Sequence, residues 1–291
     1  MHLYTVQSLS EPEKAFPALL TPRGFLPLRA LGCDCEDMSA VIRSFSLPEL
    51  KELALRAPSL PNNLFLASSD ARILAPIPHP AQDILCVGLN YHEHIDETAH
   101  VEDFTHKEAT VYFSKHADRV LGPGEAVPVY DFVDSLDYEV ELGVILGSDI
   151  RAWTPSDPWP IFGYTVFNDL SARNLQFLHK QWFLGKSLDG LTAMGPCIVT
   201  SDEIPSPQSL EIRCLVNGEE RQHSNTRYMI TPLADILCEL SRGMTLRKGT
   251  IIATGTPGGV ALGMENPQYL KKGDRVLCEI VSIGVLENPV G

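Results

Sequence analysis

Eleven residues, Asp137-Tyr138-Glu139-Val140-Glu141-Leu142-Gly143-Val144-Ile145-Leu146-Gly147, constrain this chain more than any others. β-Formers lead into an apolar run that stops at glycine, which is the pattern of a strand. Residues two apart in a strand share a face. Glu139 and Glu141 would therefore project side by side, with Val140 and Leu142 on the opposite face. Two adjacent carboxylates repel, and a divalent cation removes that cost. Paired oxygen ligands suit a hard ion such as Mg²⁺. The alternative is a solvent-facing strand edge.

The rest of the chain frames this strand. At 291 residues it is long enough for one large domain or two modest ones. The net charge of −14 argues against binding a phosphate backbone. No apolar run is long enough to span a bilayer, and the first residues lack the basic and apolar regions of a secretory signal. The seven cysteines are scattered, and Cys33-Asp34-Cys35 lacks the two-residue spacer of a zinc or redox motif. They read as small core residues in a reducing compartment, most simply the cytoplasm.

Residues 1–80 carry short apolar segments and an amphipathic stretch at 47–57, then leave through the proline-rich Ala75-Pro76-Ile77-Pro78-His79-Pro80. Prolines this dense disfavour helix and central strand. A small N-terminal domain over 1–80 and a larger one over 81–291 are expected. In the larger one, strands are expected at 84–88, 110–113, 140–146, 162–167, 197–200, 210–216, 250–253 and 275–283. Asn217-Gly218 marks a hairpin turn. A helix is expected at 170–179 with Asp169 as N-cap, and another at 232–242 with Thr231 as N-cap and Pro232 in the first turn. Strands returning on each other with short helices between them indicate an α+β, mostly β protein. The sheet is expected to be a mixed β roll or sandwich.

Four loops carry the candidate site residues. Past the strand at 84–88 stand His92, His94 and Glu97. His94 and Glu97 are three apart, neighbours on a helical turn, so the carboxylate can fix the imidazole tautomer and make it a general base. Surface loop histidines, or a zinc site built on His92 and His94, are the alternatives. Asp169 is either a helix cap or a third metal carboxylate. Lys186, in Gly185-Lys186-Ser187, is either a solvated loop residue or a counter-charge to the carboxylates. Gly255-Thr256-Pro257-Gly258-Gly259-Val260 lets backbone amides approach a ligand, or is simply a tight turn.

Taken together, these segments resemble the fumarylacetoacetate hydrolase family. The similarity runs through Gly88-Leu89-Asn90-Tyr91-x-x-His94-x-x-Glu97, Asp137-Tyr138-Glu139-x-Glu141-Leu142, Asn168-Asp169-x-Ser171-Ala172-Arg173, Gly185-Lys186-Ser187, Gly195-Pro196, Val216-Asn217-Gly218-Glu219 and Gly255–Val260. The resemblance implies the mixed β-roll of that family's C-terminal domain, usually in a homodimer. It implies Mg²⁺ or Mn²⁺ on Glu139, Glu141 and Asp169, a His94–Glu97 dyad and an oxyanion-stabilising Lys186. Tyr91, Arg173, Gln176 and Thr256 are expected to bind substrate. The expected reaction is hydrolysis of the C–C bond of an acylpyruvate-like 2,4-dioxo acid, released as a pyruvate enolate. The alternatives are decarboxylation of an oxaloacetate-like 2-oxo acid, isomerisation or hydration of a 2-oxo-enoate, or metal binding without catalysis. Pocket specificity is expected from 91–112 and 179–183, with His106 or His116 approaching from a lid.

Overall fold

The structure is a computed structural model and describes residues 1–101 and 109–291. His106 lies outside the described residues. In chain order the strands are β1 (His2–Ser8), β2 (Glu11–Thr21), β3 (Gly24–Pro27), β4 (Ala71–Ile73), β5 (Ile84–Gly88), β6 (Val111–Lys115), β7 (Leu136–Asp137) and β8 (Val140–Leu146). They continue as β9 (Ile161–Asn168), β10 (Ser171–Ala172), β11 (Ala193–Thr200), β12 (Glu211–Val216), β13 (Glu219–Asn225), β14 (Ile251–Ala253), β15 (Arg275–Ile280) and β16 (Gly284–Pro289). The helices are α1 (Met38–Ser44), α2 (Leu47–Ala54), α3 (His92–Glu97), α4 (Arg173–Leu178), α5 (Phe183–Lys186) and α6 (Leu233–Ser241). The mostly-β expectation and the mixed sheet are both met.

Among the described residues a ten-stranded sheet runs β3-β2-β1-β11-β9-β8-β14-β5-β6, with β4 pairing β1. Its pairs are antiparallel except β14 with β5. A second sheet, β13-β12-β15-β16, packs its strands against β8, β9 and β11. Alternation along β8 sorts its side chains between two cores. Val140, Leu142, Val144 and Leu146 join the core that also holds Ile212, Cys214, Val276 and Cys278 of the second sheet. Ile145 joins the other core, with Phe162 and Phe167 of β9 and Met38, Val41 and Ile42 of α1. Glu141 shares the face of Ile145 by the same period. The strand is thus buried on both sides, and the carboxylates are not on a solvent edge.

Strand pairing crosses the proline-rich segment, because β1 pairs β11 as well as β2. The first eighty residues thus extend the same sheet that carries β8. The helix over the amphipathic stretch, α2, is capped by Ser46, whose side chain and Glu49 form a reciprocal capping box. Asn217 and Gly218 both have positive φ, as the β12–β13 hairpin turn requires. The strand expected at 275–283 ends at Ile280, and both expected helix starts differ from the sequence reading. Residues 171–172 pair with β7 before α4 begins at Arg173, so Asp169 is not a cap. Pro232, with no N–H to satisfy, is itself the N-cap of α6, ahead of Leu233.

Candidate active site

Four strands and three short helices bring the site together. β8 begins beside Glu139 and carries Glu141, and β9 ends at Asn168, next to Asp169. Asn168 accepts the Glu139 backbone N–H at 3.0 Å, and Asp169 N–H donates to the Glu139 carbonyl at 2.9 Å. These bonds hold the two carboxylate-bearing turns together. Glu139, Glu141 and Asp169 are all buried and offer carboxylate oxygens within 4.8 Å of one another.

Three buried cations stand among them. Lys186, at the end of α5, donates to Glu139 Oε2 at 2.6 Å and Asp169 Oδ2 at 2.7 Å. Lys115, at the end of β6, donates to Asp169 Oδ1 at 2.5 Å and to the carbonyls of Leu170 and Leu191. Arg173 bridges Asp137 and Glu139 at 2.9 and 2.7 Å. Burial alone would raise the Glu139 pKa, but Lys186 and Arg173 outweigh it and bring the carboxyl down to about 2. Burial lowers Lys115, with Asp169 opposing. Burial also acts to lower Lys186, but Asp169 and Glu139 reverse the sign and raise it.

Glu141 is different. Its Oε2 accepts one hydrogen bond, from Gly255 N–H at 2.7 Å. Burial, then Asp169 and Glu139, push its pKa well above the carboxylate range. Four carboxylates, with Asp137 included, thus face three cations, and Glu141 carries the surplus. A hard divalent cation fits this donor set: it would bind three carboxylates and supply the counter-charge that Glu141 lacks.

The structure brings His94 and Glu97 together. His94 lies within α3, buried, and its Nδ1 is 3.0 Å from Glu97 Oε1. Glu97 is held in turn by Gly259 N–H at 2.6 Å and Val260 N–H at 3.4 Å, so the glycine-rich loop works as a clamp on the carboxylate. Gly259 has φ +104°, and a Cβ there would meet the Arg221 carbonyl at 1.9 Å. His92 is exposed, and among the described residues no histidine joins the acidic cluster. His116 pairs with Asp83 at the surface.

His94, Glu139, Glu141, Gln176, Lys186 and Thr256 line one small cavity. Arg173 and Tyr91 are not on its wall. Arg173 Nη1 donates to Gln176 Oε1 at 3.0 Å. A guanidinium has no acceptor, so the Gln176 oxygen must face it. The buried Gln176 Nε2, which has no partner among the described residues, is left as a donor. The Thr256 hydroxyl donates to Val140 O at 2.9 Å and accepts from Gln222 Nε2 at 2.8 Å. Tyr91 is wholly buried and its hydroxyl has no partner among the described residues.

Sequence reasoning missed Lys115, Gln222 and the work of Asp137. Asp137 accepts from the backbone of Tyr138, Ala261 and Leu262 and anchors Arg173. Lys115 left a faint signal: it falls in phase with Val111 and Phe113, a charge on an apolar face.

Residues 83–291 match the family model for the fumarylacetoacetate (FAA) hydrolase C-terminal domain. The chain is 41% identical over 225 residues to the oxaloacetate tautomerase YisK of Bacillus subtilis, covering 77% of this chain and 74% of that one. It is 37% identical over 242 residues to the mitochondrial oxaloacetate tautomerase Fahd2a of Rattus norvegicus, covering 82% and 74%. Among solved structures, a fumarylacetoacetate hydrolase from the psychrophile Exiguobacterium antarcticum superposes with a TM-score of 0.82 at 33% identity, over 100% of this chain and 99% of that one. With the family model spanning most of its length and its motifs gathered around one cavity, the chain belongs to the fumarylacetoacetate hydrolase family.

Proposed function

We propose that the protein interconverts the enol and keto forms of a small oxaloacetate-like 2-oxo acid. The observation that carries this reading is that His94, poised by Glu97, shares one small cavity with Glu139 and Glu141 of the three-carboxylate cluster. The names of the tautomerase relatives support it over C–C hydrolysis of a 2,4-dioxo acid. Glu139, Glu141 and Asp169 would hold a divalent cation, Mg²⁺ or Mn²⁺, which would supply Lewis-acid polarisation of the 2-oxo group.

The chain's own groups do the rest. Glu97 faces Nδ1 of His94 and fixes the tautomer, leaving Nε2 to move the tautomerising proton between the 2-oxo oxygen and C3 of the substrate. The Lys186 ammonium offsets the charge that grows on the 2-oxo oxygen as C3 is deprotonated. Gln176 Nε2 donates to a substrate oxygen. Arg173 acts through Gln176 by holding its amide in that orientation. Tautomerisation needs no water in the cavity. Hydrolysis would need His94 to activate one against a second carbonyl, and is the second reading because the dyad and Lys186 suit both.

The test follows enol-oxaloacetate by its ultraviolet absorbance with Mg²⁺ present, beside acetylpyruvate cleavage and oxaloacetate decarboxylation. Ketonisation above the metal-only rate is expected, falling by about 10²–10⁴ in His94→Ala. Faster release of acetate and pyruvate from acetylpyruvate would replace this reading with the hydrolase. Faster CO₂ release from oxaloacetate would replace it with the decarboxylase.

A further inference from the structure

The cavity has an apolar side formed by Val87, Leu89, Phe113 and Trp182. The Trp182 indole meets Phe113 edge to face, with centroids 5.2 Å apart and ring planes at 69°. It also lies on Gly88. A Cβ at Gly88 would come within 2.4 Å of Trp182 Cζ3 and 2.9 Å of Cη2. Gly88 ends a strand and is not among the residues with positive φ, so the backbone does not ask for glycine. The space occupied by the indole does.

Trp182 comes from the connection between α4, which bears Gln176, and α5, which bears Lys186. Its carbonyl accepts the Lys186 N–H at 3.1 Å. The connection is otherwise a surface segment: His179, Lys180 and Gln181 are exposed, and so are the apolar residues that flank it, Leu178 at 71%, Phe183 at 45% and Leu184 at 39%. One aromatic side chain therefore reaches the cavity from a turn whose other residues, and whose apolar neighbours on either side, are exposed. His94 and the carboxylates fix the reacting end of a substrate, which leaves the apolar side for its tail.

We propose that Trp182 sets the tail length of the substrate. Its indole closes the apolar end of the cavity, so that 2-oxo acids with short tails fit and long alkyl or acyl tails do not. This inference rests on the proposed reading of the site as one for 2-oxo acids. Each methylene that a pocket rejects is worth about 10–200-fold in discrimination.

The test is isothermal titration of the Mg²⁺-loaded protein with straight-chain 2-oxo acids from pyruvate to 2-oxooctanoate, in wild type, Trp182→Phe and Trp182→Ala. Far-ultraviolet circular dichroism and the melting temperature check each fold. Wild type is expected to lose affinity steeply as the tail lengthens. Trp182→Ala is expected to gain at least about tenfold for the longest acid relative to pyruvate, with Trp182→Phe between. Pyruvate affinity is expected to stay within about threefold. A ratio of variant to wild-type affinity that does not change with tail length overturns the inference while leaving the site reading intact. No binding of pyruvate to Mg²⁺-loaded wild type overturns the site reading, and this inference with it.

Discussion

Replacing Glu141 by glutamine isolates the surplus charge of the site. The carboxylate oxygens of Glu139 and Asp169 lie within 4.8 Å of that of Glu141. At an effective dielectric of about 20, each like charge at that distance costs about 3.5 kcal/mol. Lys186 also acts on Glu141, and its attraction offsets roughly one of the two. The net burden is about 3 kcal/mol, lessened to the extent that Glu141 takes up a proton. Glutamine keeps the shape and an oxygen for the Gly255 N–H but carries no charge. In chelator-treated protein at neutral pH, Glu141→Gln is therefore expected to be more stable than wild type by roughly 1–3 kcal/mol. Addition of Mg²⁺ should reverse the order. At a hundred times its Kd the ion stabilises wild type by about 2.7 kcal/mol, and the variant should lose most of that gain. Urea denaturation with chelator and with Mg²⁺ reads both numbers. A variant less stable than wild type in chelator, with an undiminished Mg²⁺ shift, would refute the charge argument.

Other perturbations reach the same frame from different sides. Lys115→Met leaves Asp169 short of a counter-charge and two buried carbonyls without their donor, so urea denaturation should show a loss of about 3–5 kcal/mol; a loss under about 1 kcal/mol would contradict the pairing. Gly259→Ala should push the loop from the Arg221 carbonyl, release Glu97 and lower kcat for ketonisation more than it raises KM, as steady-state kinetics would show. Burial raises the Cys33 thiol to about 12, and Cys86, Cys197, Cys214 and Cys278 are also buried. Thiol labelling of the folded protein at pH 8, read by intact mass, should therefore reach no more than the partly exposed Cys35 and Cys238.

The parts of this protein that sequence displayed are those set by short-range rules. The two-residue period of β8 was enough to place Glu139 and Glu141 against Val140 and Leu142. The three-residue spacing of His94 and Glu97 was enough to pair them. Asn217-Gly218 announced its turn. What remained hidden depends on contacts between segments far apart in the chain. Lys115 and Asp169 are 54 positions apart, and nothing near either one signals the other. Asp169 followed by Ser171 and Ala172 looks like a helix start until β7 pairs those residues. The glycine-rich loop at 255–260 is an ordinary turn by composition, and its role of holding Glu97 appears only when α3 is packed against it.

The seam between β1 and β11 bears on how this molecule could be dissected. The match to the family model begins at residue 83, and a truncation there would look like a natural excision. It would strip β1 from β11 and remove Met38, Val41 and Ile42 from the core they share with Phe162 and Phe167. A bare rim of peptide groups beside a freshly opened apolar surface is a template for uncontrolled self-association. The stretch that the family model covers is therefore not a portable module here, and an expression screen built on it would be selecting for insolubility.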